Sequence, residues 1–459
     1  MSKTSNPSGT QENKMGTMPV GKLLFQMSIP MIVSMLVLAL YNVVDSIFVS
    51  QISENALTAV SLAFPIQNLM VSIATGTAVG INALVSRHLG EKDFNKANLV
   101  ARHGIFLAFC SYVVFMVVMI FITVPFMTVQ AGNDEIFSFG VQYLHVISYL
   151  GIFMFMQVML ERLVSSTGKT HLTMISQATG AIVNIIFDPI LIFGYGPFPE
   201  MGVRGAAIAT VFGQLVGAGL ALFFNLNKNK ELNINMKGFR PNSGIIKAIY
   251  QIAVPSIILV SVGSVMTFGM NIIFVQLLAS STAAAVFGVY FKLNSLVVMP
   301  VLGMNNGMVP IIAFNYGAKN KKRIMDTTRL AVTAACVIMV VGIIVFLTVP
   351  DKLLLLFNAS ENMLAIGVPA LKICCLSYVF AGFCIVIGST MQALGSALYS
   401  MINSLCRQLI VLLPAAFILA KVGGLDLVWW AYPIAELASV TLSSIFFAKV
   451  YKQKIRPLH

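Results

Sequence analysis

Charge is what this chain has least of. Asp, Glu, Lys and Arg make up only 10% of its 459 residues. A soluble domain carries about 25%. With 58% hydrophobic residues and a mean hydropathy of +0.88, the chain cannot cover a water-facing surface, so it reads as an integral membrane protein. Strands with in/out alternation are also missing, which excludes a barrel of segments about ten residues long. Cysteine is scarce, and Cys110, Cys336, Cys374, Cys375, Cys384 and Cys406 lie in or beside apolar runs with no CxxC pair. Neither a disulfide framework nor a metal site follows from that spacing. There is no GxxxxGK[ST] phosphate loop, no GxSxG and no HExxH. Catalysis and ATP-driven work are therefore not expected, nor is any bound cofactor.

What is present is length in apolar runs. Twelve can be placed, each long enough for about 20 helical residues: 22–50, 56–86, 99–124, 136–164, 171–194, 203–225, 247–279, 281–314, 325–349, 361–390, 396–420 and 426–449. The net charge of +13 invites a nucleic-acid reading, but its distribution removes it. Of the 29 Lys and Arg, 23 fall in the even-numbered connections and the two tails. The opposite loops hold only Arg204, Lys352 and Lys421. Positive charge accumulates on the cytoplasmic side, so both termini are expected there, in a multi-pass protein of the plasma membrane.

The two halves copy each other. Thr123-Val124-Pro125 returns as Thr348-Val349-Pro350, 225 residues on, and Ile47-Phe48-Val49 as Ile273-Phe274-Val275, 226 on. Gly90, Arg102 and Gly140-Val141 return as Gly317, Arg329 and Gly367-Val368, 227 on. Each half holds an even number of spans and enters from the same side, which implies a pseudo-two-fold axis along the membrane normal. The expected fold is all-α: two six-helix lobes at 21–225 and 247–450. A linker over 226–246 joins them, with a disordered tail over 1–20 and a short tail over 451–459. A duplicated apolar bundle is the sequence form of an alternating-access transporter with its site between the halves. Gly90-Glu91-Lys92-Asp93 and Gly317-Ala318-Lys319-Asn320 are matched polar turns, either solvated loops or a latch between lobes. Asn358-Ala359-Ser360 is a sequon in an outer loop, which counts only if the host glycosylates.

Chemistry is sought among the acids inside the spans, because a charge at mid-bilayer costs about 2.5–3.5 kcal/mol on insertion scales. Asp45, Asp188 and Glu436 lie well within apolar runs, and Glu161 lies near a cytoplasmic end. Asp45 and Asp188 stand five and six residues before the outer ends of the first and fifth runs, and Thr210 six after Arg204. At 1.5 Å per residue all three sit roughly 8–9 Å below the outer surface. Tyr41 and Asn184, each four residues earlier, share helix faces with Asp45 and Asp188. Pro189 frees the carbonyl of Ile185. Two carboxyls in a dry pocket cannot both ionise cheaply. Such a cluster suits a proton, or Na⁺ held by Asp45, Asn184, Asp188 and Thr210. The second half lacks the pair, since the matching positions are Met270 or Asn271 and Ala415. Its spans carry Lys292, Lys372, Arg407 and Glu436. Lys372 and Arg407 either snorkel or pair with Glu436, or they line a cavity. The 26 Met and 32 Phe are packing residues or a soft cavity wall.

At these residues the chain resembles the multidrug and toxic compound extrusion (MATE) family, nearest its bacterial, MepA-like multidrug-exporter branch. The resemblance covers nearly all of 22–449. It is carried by Ser28-Ile29-Pro30, by Asn42-Val43-Val44-Asp45-Ser46-Ile47-Phe48-Val49, and by Ser86-Arg87-His88-Leu89-Gly90-Glu91. Its most specific pieces run from Asn184 through Asp188-Pro189 to Gly194, and from Gly202-Val203-Arg204-Gly205 to Thr210. The resemblance implies two lobes forming a V around a central cavity. It implies efflux of cationic amphipathic drugs in exchange for H⁺ or Na⁺. Nothing in the sequence requires more than a single chain in the lipid bilayer, and no nucleic-acid partner is expected. It also implies a first-lobe cation site at Tyr41, Asp45, Asn184, Asp188 and Thr210. Members that use second-lobe acids differ from this chain, whose seventh to eleventh runs contain no acid away from their ends. The alternative is a flippase for a lipid-linked saccharide or cell-wall precursor, its pyrophosphate held by Lys292, Lys372 and Arg407.

Overall fold

The computed structural model describes residues 13–357 and 359–458, so residues 1–12 of the tail and Asn358 of the sequon lie outside the described residues. The first half contains α1 (Lys14–Thr17), α2 (Val20–Ser50), α3 (Glu54–Gly90), α4 (Phe94–Gln130), α5 (Asp134–Tyr149), α6 (Ile152–Ser166), α7 (Thr170–Phe193) and α8 (Gly202–Asn227). The second contains α9 (Ser243–Ile272), α10 (Ser281–Gly317), α11 (Lys321–Thr348), α12 (Pro350–Leu355), α13 (Glu361–Cys375), α14 (Tyr378–Ala393), α15 (Ala397–Leu405), α16 (Leu413–Val428) and α17 (Ala431–Val450). Single π-helical turns follow α9, α15 and α17. Among the described residues, ten helices are long and apolar enough to cross a membrane. Two bent pairs, α5 with α6 at 47° and α13 with α14 at 49°, bring the number to twelve when each pair counts once. The sequence reading drew each of these pairs as one unbroken run. The bends fall at Leu150-Gly151 and at Leu376-Ser377, in register with each other and without a proline.

The repeat is written into the helix starts. Asp93 caps α4 by accepting from the Lys96 amide (3.0 Å), and Asn320 caps α11 by accepting from Arg323 (3.1 Å), 227 positions later. Ser53 and Ser280 cap α3 and α10 in the same way, at 3.0 and 3.1 Å. Asn133 and Ser360 cap α5 and α13 at 2.8 and 3.3 Å. Each cap satisfies an amide that has no intrahelical partner. The same short polar residues therefore stop and restart the helices in both lobes.

The lobes meet at the end that holds α1, the α3–α4 and α10–α11 turns and the connection between α8 and α9. α10 lies against α2 and α3, and α9 against α3. Gly303 and Gly307 let α10 press onto the backbone of α2 at Met27–Ile32, and the Ser28 hydroxyl donates to the Met304 carbonyl at 3.3 Å. Deeper in the seam, Asn68 donates to Ser264 at 2.6 Å. At the extreme end the contact is reciprocal. A Cβ on Gly90 would collide with the Phe314 carbonyl and lie 3.0 Å from the Ala318 amide. A Cβ on Gly317 would collide with the Arg87 carbonyl and lie 3.0 Å from the Glu91 amide. Gly90 matches Gly317 in the repeat, and Arg87 matches Phe314, so each turn docks on its own counterpart. Lys92 and Lys319, with φ of 59° and 57°, close the two turns identically, and the Arg87 guanidinium lies 5.0 Å over the Tyr316 ring.

The segment between α8 and α9 is held along the first lobe. Asn233 donates to the Asn98 side chain at 2.7 Å, the Asn242 amide to His103 at 2.8 Å, and Leu232 and Ile234 are buried. The expected disorder of the first twenty residues does not reach Asn13–Met18. Met15 is fully buried there, which fixes the short α1 in place.

Gly90→Ala or Gly317→Ala should each weaken the lobe contact by about 1–3 kcal/mol through overpacking. Gly132→Ala, with nothing within 4 Å of its Cβ, should stay within about 0.5 kcal/mol. Thermal unfolding in detergent checks the difference; equal midpoints would mean the turns do not bear on each other.

Candidate functional site

The five residues singled out in the first lobe come together. α7 and α8 cross closely because Gly180 and Gly213 face each other. A Cβ on either would lie 2.5–2.8 Å from the other's carbonyl oxygen. That crossing puts Asn184 and Asp188 of α7 beside Thr210 of α8, all three buried. The Asn184 amide nitrogen donates to Asp188 Oδ1 at 3.3 Å. Turned over, the same amide donates to Asp188 Oδ2 at 3.2 Å and accepts from the Thr210 backbone amide at 3.0 Å, which satisfies every atom of the group. α7 runs as one helix through Pro189 to Gly194, whose left-handed φ of 74° ends it.

α2 lies along α7 and brings Asp45 against Asp188. The two carboxyls are within hydrogen-bonding reach of each other, and Tyr41 stands within electrostatic range of both. Asp45 Oδ1 is buried and has no partner among the described residues. Like charges at this spacing repel, so two carboxyls set this close cost less when a proton or a small cation lies between them. The oxygens available to such a cation are those of the two carboxylates, the Asn184 amide and the Thr210 hydroxyl. Among the described residues, no group of three or more His, Cys, Asp or Glu gathers with the geometry of a metal site, here or elsewhere.

Two residues belong to this neighbourhood that a search limited to acids passes over. Gln67 of α3 donates to the Tyr143 hydroxyl of α5 at 2.7 Å, and Tyr143 is buried close to Asp45, Tyr41 and Asp188. The available signal was a glutamine in the middle of the apolar run 56–86.

The remaining candidates separate. Arg407 donates to Glu436 at 2.6 Å, an ion pair between α17 and the π-helical turn that follows α15, in which Glu436 is buried and Arg407 half-buried, so Arg407 takes the pairing role and not a free cavity charge. The second carboxylate oxygen of Glu436 is buried without a partner among the described residues. Lys292 and Lys372 are exposed and apart from that pair; the Lys292 ammonium lies 5.9 Å from the Phe357 ring. Glu161 is a clasp between α6 and α7, accepting from Ser176 (2.9 Å), Gln177 (2.7 Å) and Gln157 (3.0 Å).

The MatE family model matches residues 30–190 and again 255–418, once in each lobe. The chain belongs to the MatE family. Among curated relatives of this MatE protein is the "Multidrug export protein MepA" of Staphylococcus haemolyticus (strain JCSC1435), 26% identical over 92% of both chains. The protein of the same name from Staphylococcus aureus (strain MSSA476) is 25% identical over 91% of both. Two solved structures share the fold at 23% identity. One is an outward-facing multidrug-resistance MATE family transporter of the MOP superfamily, with a TM-score of 0.89 over 97% of this chain and 99% of that one. The other is a MOP superfamily transporter from Pyrococcus furiosus, described for the reverse polarity of its binding pocket, with a TM-score of 0.90 over the same shares.

Removing one member of the Arg407–Glu436 pair leaves a buried charge unmatched, so Arg407→Ala should lower stability by about 3–5 kcal/mol. The double change Arg407→Met with Glu436→Met should recover most of that loss. Unfolding midpoints in detergent for the three chains decide it; an unaffected Arg407→Ala would mark the pair as functional and not structural.

Proposed function

We propose that this chain is a secondary active exporter working by alternating access in the plasma membrane. It moves cationic amphipathic compounds outward in exchange for H⁺ or Na⁺. The observation that carries the reading is the Asp45–Asp188 carboxyl pair, with Asp188 buried and Asp45 half-buried, confined to one lobe of a duplicated MatE fold. Inside a membrane, paired carboxyls with a partnerless oxygen are costly unless they exchange a cation. Asn184, Thr210 and Tyr41 supply the neutral oxygens around it. The curated relatives named multidrug export proteins support the cargo class.

The excess of Lys and Arg at the end where the lobes meet supports a cytoplasmic location for both termini. On that assignment the arrangement described here is closed at the cytoplasmic end, with the acid pair set toward the outer side. Protonation or cation binding between Asp45 and Asp188 removes their repulsion, which draws α2 and α7 together. Cargo and coupling ion then compete through the packing of one lobe, and a single chain with no cofactor suffices. Arg407 is already neutralised by Glu436, which takes it away from the phosphate-binding role that a lipid-linked cargo needs.

Ethidium efflux from proteoliposomes under an imposed pH gradient, or an imposed Na⁺ gradient, tests the reading. Efflux should follow one gradient, and Asp45→Asn or Asp188→Asn should reduce the coupled flux by roughly tenfold or more. Gradient-driven flux that survives both substitutions would remove the pair from coupling. No drug movement under either gradient would shift the reading to a flippase, with Lys292 and Lys372 as the residues to change.

A further inference from the structure

Residues Asn13–Met18, ahead of α2, do not trail into solvent. They cross from one lobe to the other at the closed end. On the first-lobe side, Asn13 donates to Glu231 Oε2 at 2.5 Å and to the Thr167 carbonyl at 3.4 Å, and Gly168 leaves room for Lys14 and Met15. On the second-lobe side, Asn315 of α10 donates to the Met15 carbonyl at 3.0 Å. Arg323 of α11 donates to the same carbonyl at 3.0 Å and to the Met18 carbonyl at 2.7 Å. Arg323 is itself steadied on the Asn315 side chain at 3.1 Å. Gly16 lies against the ring of Phe314, whose carbonyl receives Gly90. Met15 has no exposed surface at all. Asn13 caps the single turn of α1, holding its backbone for these contacts.

We propose that Asn13–Met18 is a strap that staples the two lobes at the cytoplasmic end and must detach for that end to open. The inference rests on the alternating-access reading above. The strap is covalently part of the first lobe through α2, while its carbonyls are held by the second. Any rocking that separates the inner ends of α2 and α10 pulls Met15 and Met18 away from Arg323 and Asn315. It also exposes the buried thioether. All these bonds close in one state and break together in the other, so the strap biases the equilibrium toward the cytoplasm-closed form. The bonds to Arg323 use backbone carbonyls. They therefore depend on the path of the strap and not on its side chains, apart from the Met15 plug and the Asn13 anchor.

Hydrogen–deuterium exchange on the full chain in detergent tests this. The seam is read at peptides covering 27–32 and 303–307, which the strap does not touch, and the outer side at 54–60. Met15→Asp and Asn13→Ala should speed exchange at the seam, by about tenfold for Met15→Asp, and leave 54–60 as protected as in the native chain or more so. Met15→Leu, which keeps the plug apolar, should match the native chain. Native seam rates in Met15→Asp and Asn13→Ala overturn the strap. Faster exchange at the seam and at 54–60 together also overturns it, because that pattern is loosening of the fold and not rocking. Ethidium efflux by the native chain alongside unchanged seam rates sinks the strap alone, whereas no efflux and no seam response sink the transport reading with it.

Discussion

Inside a bilayer no water is on hand to satisfy a polar group, and the whole structure depends on that constraint. Backbone amides and carbonyls must find partners within their own helix. Long unbroken helices follow, with polar residues concentrated where helices end. The matched caps at Ser53 and Ser280, Asp93 and Asn320, and Asn133 and Ser360 are one solution used twice. The same constraint governs the interior. Glu161 is surrounded by three donors and Glu436 is met by Arg407. Against that background, the carboxyl pair of α2 and α7 stands out as two acids set face to face with no base between them, Asp188 buried and one Asp45 oxygen left without a partner among the described residues.

The two lobes thus share a frame and differ in what they bury. One carries acids facing each other; the other carries an acid facing a base. The first arrangement changes its energy when a cation arrives. The second is already neutral and resists change. On the proposed reading, the duplicated protein assigns motion-coupled chemistry to one copy and structural support to the other without altering the helix plan.

Much of this was legible in the residues. Apolar length placed twelve crossings, and the repeat register predicted the equivalence of the halves. Counting residues from the outer helix ends put Asp45, Asp188 and Thr210 at one depth. Three features were not legible. The bends at Leu150-Gly151 and Leu376-Ser377 leave hydrophobicity uninterrupted and involve no proline, so nothing in the composition marks them. Gln67 and Tyr143 join the site through packing of α3 and α5, which depth on single helices does not reveal. The tail around Met15 looked too polar and too rich in small residues to be ordered, since its partners, Arg323, Asn315 and Glu231, lie more than two hundred positions away in the chain.

The docking of Gly90 on Phe314 and of Gly317 on Arg87 is the geometry of an isologous homodimer, kept inside one polypeptide. In a dimer of identical subunits one codon changes both sides of such a contact at once. Here two codons, 227 residues apart, must agree. A larger residue on one turn is tolerated only when the facing carbonyl retreats, and that carbonyl belongs to the other copy. Gene duplication freed most of the two halves to diverge, but at this crossing it tied them together, so these turns should be among the slowest places for the copies to drift apart.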